Sequence, residues 1–351
     1  MTTPLAPPES APPDSNSLLL VTGGTGLVGS HVVERAIAQG WKVRALVRPS
    51  SNQSFLRSFP LELVQGSLTD PPSLVAATQH VTHCVHCAAK VGDWGPVRKY
   101  RQTNVEGLRS LIAAFQQSSS LRQFIQISSL GVYPAVDHYG TDENSPVSVS
   151  GIDGYTISKV ESENLILQAV QQAGFPAVVL RPGWIYGPRD RTVMPRLLKS
   201  LQQGKVVYLG SGQQLLNQIY VENLVDAIFL ALRRTDLSGR VYNLTDGLLV
   251  SRIEFMETIC RLAKIAPPRK HIPLGMARSL ACALEGAYRL FGSRTGPVLS
   301  QARIKFLGLN LDYSIDRAVH ELNYAHRFTF QEGMQETMNW VQNRSPPRPS
   351  A

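Results

Sequence analysis

The run Leu18-Leu19-Leu20-Val21-Thr22-Gly23-Gly24-Thr25-Gly26-Leu27-Val28-Gly29 constrains this chain more than any other segment. Leu18 to Val21 are uninterrupted apolar residues, which suits a strand buried on both faces. Glycines then crowd into the next stretch, and Val28, Val32, Val33, Ala36 and Ile37 recur at helical spacing. Gly40 closes that helix, and Trp41 to Val47 read as a second strand. Strand, glycine turn, helix, strand is the setting of a dinucleotide-binding turn. In this reading Gly23 and Gly24 allow the tight turn and Gly26 lets the backbone approach a pyrophosphate. Gly29 lets the helix pack close to the strand. Thr22, Thr25, Leu27 and Val28 complete the loop. The helix N-terminus turns unpaired N–H groups and a positive dipole end toward the phosphates.

The end of the second strand bears on which dinucleotide is held. Asp or Glu there holds the ribose 2′-OH of NAD, whereas Arg accommodates the 2′-phosphate of NADP. The strand ends Leu46-Val47-Arg48-Pro49-Ser50-Ser51, with no carboxylate and with Arg48 in place. NADP is expected ahead of NAD.

Tyr155 and Lys159 stand four apart in Gly-Tyr-Thr-Ile-Ser-Lys-Val-Glu. On a helix they share a face, one turn apart. An ammonium beside a phenol favours the phenolate, so Lys159 is expected to lower the Tyr155 pKa and fit it for proton exchange.

Set together, the glycine turn and Tyr155-x-x-x-Lys159 resemble the extended short-chain dehydrogenase/reductases. The nearest branch is that of the 3β-hydroxysteroid dehydrogenase-like, dihydroflavonol reductase-like and hopanoid-associated epimerase-like proteins. The resemblance covers roughly residues 17 to 341. His86-Cys87-Ala88-Ala89 is similar to the loop after the fourth strand that lines the cofactor. Asn104 resembles the family's asparagine on the next helix. Ser128-Ser129-Leu130-Gly131-Val132-Tyr133 resembles its serine segment. Arg181-Pro182-Gly183-Trp184 resembles the segment whose proline, here Pro182, flanks the nicotinamide. One departure stands out. The family often has Gly-Asp-Leu after the third strand, its Asp holding the adenine amine, and here Gly66-Ser67-Leu68 puts Ser67 in that place. Asp70 is expected instead to cap the helix that starts at Pro71-Pro72.

The resemblance implies a catalytic group of Ser129, Tyr155 and Lys159, with Asn104 in support and Ser128 as the alternative serine. Tyr155 exchanges the proton at a carbinol or carbonyl oxygen, Ser129 hydrogen-bonds that oxygen, and Lys159 also binds the nicotinamide ribose. The implied reaction is alcohol–ketone redox on an apolar, sterol-like or other lipophilic substrate. Family dehydratases carry Thr-Asp-Glu where this chain has Ser129-Leu130-Gly131. Nucleotide-sugar epimerases carry an arginine where this chain has Leu216. Arg189, Arg191 and Arg196 keep an epimerase open as the alternative, and a non-catalytic NADP-binding factor is a second.

Alternation of strand and helix through residue 180 predicts an α/β fold with a right-handed, Rossmann-type, doubly wound parallel sheet. Later buried strands are expected at 123–127 and 177–180, short ones at 206–209 and 218–221, and a helix over 221–232. The expected division is a dinucleotide-binding domain at 17–184 and mostly a substrate lobe at 185–344, with segments returning to the sheet. Residues 1–16 and 345–351 read as disordered tails.

A formal charge of +9 suits an anionic cofactor or a membrane surface. No dense basic block points to nucleic acid. Cys84, Cys87, Cys260 and Cys282 suggest no disulfide framework, which fits a reducing cytoplasm. His83-Cys84-Val85-His86-Cys87 alternates its faces on a strand, so no metal site is expected. Met276, Leu280, Leu284, Ala287 and Phe291 follow helical spacing over 275–292. Two readings stay open: a helix covering the substrate cleft, or an amphipathic helix in peripheral membrane contact. A homodimer also stays open.

Overall fold

The computed structural model describes residues 14, 16–148, 153–291, 293 and 295–344. Apart from Asp14 and Asn16, the expected tails lie outside the described residues.

The apolar run forms β1 (Leu18–Thr22), with Leu19, Leu20 and Val21 fully buried. The glycine turn leads into α1 (Leu27–Ala38), and β2 (Lys42–Val47) follows. The alternation continues through β3 (Glu62–Gln65), α2 (Pro71–Thr78), β4 (His83–His86), α3 (Gly107–Ser118) and β5 (Gln123–Ile127). It ends with α4 (Gly154–Ala173) and β6 (Ala177–Pro182). The C-terminal half returns α5 (Val221–Leu232) and β7 (Val241–Leu244) to this body. All seven strands are parallel, in the order β7-β6-β5-β4-β1-β2-β3.

Helices cover both faces, as a parallel sheet requires. Val32, Val33 and Ala36 of α1 pack with Leu224 and Ile228 of α5 on one side. Leu74, Leu108, Leu111 and Ile166 fill the other. A separate apolar cluster around Tyr186, Met194, Phe255 and Met334 supports the C-terminal half. The strand order turns at β1, whose neighbours β2 and β4 lead away in opposite directions. The crevice beyond the carboxyl ends of strands at such a point is where ligands bind in open α/β sheets.

Several details differ from expectation. Of 206–209 only Tyr208–Leu209 is a strand, paired with His271–Ile272. Gln218–Tyr220 pairs with Trp184–Tyr186, and Val221 already opens α5. Asp70 does occupy the N-cap of α2, but its side chain makes no capping bond; its carbonyl accepts from Ser73 instead. Two further helices matter below: α6 (Leu274–Leu290) and α7 (Gln301–Gly308).

Candidate active site

The glycine turn lies at the crevice. Gly23 has φ +73°, and a Cβ there would meet the Ala88 backbone nitrogen at 2.8 Å. A Cβ on Gly29 would lie 2.3 Å from the Gly23 carbonyl oxygen, so α1 can seat against the turn only without one. Gly24 is different. Its Cβ would find ordinary contacts at 3.5 Å and beyond, so the tight turn depends on Gly23 and not on Gly24 as well. Thr22 ties the turn to the next loop: its hydroxyl accepts from the Ala88 N–H at 3.2 Å and bonds His86 Nδ1 at 2.8 Å. Cys87, Ala88 and Ala89 therefore run beside the turn.

This crevice fits a dinucleotide. Gly26, exposed at the crown, stands at the N-cap of α1 with no side-chain capping bond. No acidic residue occupies the first turn. The positive end of α1 is thus uncompensated by the protein, as an anion site requires. Thr25, Leu27 and Val28 are half-buried around it. Beyond β2, Arg48 is exposed, and Gly66 bonds the Val47 carbonyl at 2.9 Å. Arg48 and Ser67 consequently lie at the same end of adjacent strands. The Ser67 hydroxyl bonds that of Thr69 at 3.0 Å, while Leu68 is buried against Gly107. Pro182 ends β6, buried opposite Leu244.

Tyr155 and Lys159 lie in the first turns of α4, which Asp153 caps by accepting from Thr156 N–H at 2.8 Å. Ser129 follows β5 at the N-cap of a short turn, and its Oγ accepts from Gly131 N–H at 3.0 Å. The Ser129 hydroxyl lies near enough to the Tyr155 phenol to pull its pKa down. Ser128 is committed elsewhere: its hydroxyl donates to Glu163, which also holds Arg181 at 2.6 Å in a buried ion pair. Asn104 is buried in a π-helical turn, Arg101–Glu106, just before α3. Its amide accepts from Lys90 N–H at 2.7 Å and donates to the Ser158 hydroxyl at 2.8 Å. It joins the loop after β4 to α4.

The electrostatics correct the expectation drawn from spacing. Burial pushes the Tyr155 phenol up to about 12, with the Ser129 hydroxyl pulling down and Asp153 adding to the rise. The Lys159 ammonium sits 5.7 Å from the Tyr155 ring centroid and donates to the Ile127 carbonyl at 2.7 Å. Burial lowers Lys159 to about 8, opposed by Glu163. Desolvation therefore sets the direction at the phenol. The Lys159 charge also bears on His86 and Cys87, which places it beside the cofactor loop.

One residue carried no sequence signal. Lys305 of α7 donates to the carbonyls of Gly131 at 2.7 Å and Tyr133 at 2.5 Å. It thereby holds both ends of the turn that follows Ser129. A cavity of about 500 Å³ adjoins the start of α4, lined there by Asp153, Gly154 and Ile157 but not by Tyr155 itself. Trp94, Val97 and Tyr288 give it apolar surface, with Glu285 and Arg289 at one side. Among the described residues, no three His, Cys, Asp or Glu side chains group as metal ligands.

Residues 19–245 match the NAD dependent epimerase/dehydratase family. The chain is 27% identical over 326 residues to a 2-alkyl-3-oxoalkanoate reductase of Shewanella oneidensis, covering 90% of this chain and 84% of that one. It is 28% identical over 319 residues to the 4-hydroxy-2-methyl-3-oxo-4-farnesyl-3,4-dihydroquinoline-1-oxide ketoreductase of Stigmatella aurantiaca, covering 90% and 93%. The crystal structure of gox2253 superposes with a TM-score of 0.78 at 27% identity, over 93% of this chain and 98% of that one. The protein belongs to the NAD dependent epimerase/dehydratase family. Within it, the chain is an NAD(P)-dependent oxidoreductase of the extended short-chain dehydrogenase/reductase kind.

Proposed function

We propose that this oxidoreductase reduces the ketone of an apolar 3-oxo compound, substituted at the neighbouring carbon, to its secondary alcohol with NADPH. The placement of Ser129 beside a phenol that burial raises to about 12 carries this reading. Such a phenol is protonated at neutral pH, so it is poised to give a proton to an oxygen that is becoming an alkoxide. Ser129 donates a second hydrogen bond to the same oxygen and fixes its direction. When bound, the reduced nicotinamide supplies the hydride to the carbonyl carbon. The Lys159 ammonium stabilises the phenolate left behind, which recovers its proton from solvent. Asn104 holds the loop after β4 against α4 and so keeps the two halves of the site in register.

Three observations support the substrate class. The cavity at the start of α4 offers Trp94, Val97 and Tyr288. Both relatives described above are named for a 3-oxo group next to a substituted carbon 2. At the place of the epimerase arginine, Leu216 is buried in an apolar cluster. Arg189 is engaged with Glu34 at 2.7 Å and lies over the Phe55 ring. NADPH is favoured because Arg48 is exposed at the end of β2 and no carboxylate stands there.

The test is consumption of NADPH and NADH against a panel of 2-alkyl-3-oxo acids, terpenoid ketones and steroid ketones. The expected result is ketone reduction with NADPH ahead of NADH. Arg48→Asp should shift the cofactor ratio toward NADH by about tenfold, the loss of one phosphate contact. Conversion of UDP-glucose to UDP-galactose without any ketone reduction would instead make the protein an epimerase. Tight cofactor binding with no turnover would make it a binding module.

A further inference from the structure

Helix α6 is built inside out. An amphipathic helix on a globular protein turns its large apolar side chains toward the core. Here the side chains buried against the body are Ala277, Ala281 and Glu285. The larger ones face away: Met276 is 65% exposed, Leu280 50%, Leu290 83% and Phe291 82%. With Ala283 they form one stripe at helical spacing along the outer side. Leu284 and Ala287 are half-buried at its margin. Val298, in the segment beyond, is 85% exposed.

The charges around the stripe share one sign. Arg278 is exposed on the side of the helix away from the stripe, and Arg269 and Lys270 are exposed just ahead of the helix. The single acid of α6, Glu285, is turned inward, where it accepts from the Gln301 N–H at 2.7 Å and pairs with Arg289 at 3.0 Å. The outer side of α6 is therefore apolar with no carboxylate, and exposed cations gather at its N-terminal end. Its inner side, through Glu285, Tyr288 and Arg289, lines the cavity at the start of α4. Trp94 Nε1 donates to the Ser293 carbonyl at 3.2 Å and closes the cavity wall at the end of the helix.

We infer that α6 is an interfacial docking face that lays the mouth of the cavity between α6 and α4 on an anionic lipid bilayer. Large apolar side chains enter the acyl boundary while arginine and lysine meet the head groups, the two contributions that hold such helices to membranes. No helix among the described residues is long and apolar enough to cross a membrane, so the contact lies in the plane of the surface. A lipophilic ketone dissolved in the bilayer would then meet the cavity without passing through water. That purpose rests on the proposed substrate class; the docking itself does not.

The test measures binding without turnover. The full chain is sedimented with phosphatidylcholine vesicles, with and without phosphatidylglycerol. The expected result is binding to the anionic vesicles, falling by about tenfold when phosphatidylglycerol is omitted or salt is raised. Leu280→Glu with Phe291→Glu should abolish it while thermal melting and NADPH binding stay unchanged, because both side chains are exposed. Arg269→Glu with Lys270→Glu should weaken it several-fold. Failure of the wild-type chain to bind anionic vesicles overturns the inference. So does a concentration-dependent dimer in sedimentation velocity that the same substitutions break, since the face then belongs to a second copy. Docking without ketone reduction would leave the surface standing and remove only the substrate reading.

Discussion

Lys305 is a half-buried cation whose bonds go to backbone carbonyls rather than to a carboxylate. Burial pulls it down to about 8, with Asp153 opposing. Its bonds to Gly131 and Tyr133 fix the turn that carries Ser129, and a small misplacement of a catalytic group costs up to about 100-fold in rate. Lys305→Met should therefore lower kcat by about 10- to 100-fold while NADPH affinity holds, and Lys305→Arg should recover most of the loss. Combined with Ser129→Ala, it should cost little more than Ser129→Ala alone. Unchanged kcat in Lys305→Met, measured at saturating ketone and NADPH, would show that the turn holds itself. Sequence could not supply this residue, because its partners lie 174 and 172 positions away and no local pattern marks it. Tyr155 was legible as a position and not as an acid. Its spacing to Lys159 is local, whereas the direction of its pKa is set by burial. The choice between Ser128 and Ser129 likewise waits on the Glu163 side chain, which takes up the first.

Among the elements, the β1 turn and α1 form the unit most open to reading, because close backbone approach leaves glycines behind. Gly29→Ala tests that unit. Its new Cβ would fall 2.3 Å from the Gly23 oxygen, so α1 must shift away from the turn. We expect a lower melting temperature and a loss of NADPH affinity of about tenfold or more, since the helix terminus no longer faces the phosphates. Calorimetric titration reads the affinity; an unchanged value would mean that the pyrophosphate is held elsewhere. The short strands were less legible. Tyr208–Leu209 forms by pairing with His271–Ile272, and a two-residue partner so far along the chain leaves no periodicity to read. On α6 the helical spacing was legible, but which side faced the body was not. Ala277 and Ala281 are the residues that pack with Leu209 and Ile304, and only that tertiary contact decides the inner side.

At the scale of the whole molecule, burial of β4 makes folding sensitive to acid. His83 is lowered to about 4 and His86 to about 3, both chiefly by burial, against an ordinary value of 6.5. Below pH 6.5 the unfolded chain takes up protons that these folded side chains refuse, so stability falls as pH drops toward 4. Asp246 works the other way, raised by burial from 3.8 to about 6. Two histidines outweigh one carboxylate, for a net loss on the order of a few kcal/mol by pH 4. Urea midpoints at pH 7 and pH 4.5 check the sign; a midpoint that rises in acid would contradict it. Turnover in the proposed reaction depends on the proton that Tyr155 would give to a ketone oxygen. The most direct test is NADPH-dependent reduction of a 2-alkyl-3-oxo acid by the wild-type chain and by Tyr155→Phe, with NADPH affinity measured on both. The prediction is equal affinity and a fall in kcat of roughly 100- to 10,000-fold, the contribution of a positioned proton donor. Full turnover by Tyr155→Phe would contradict it.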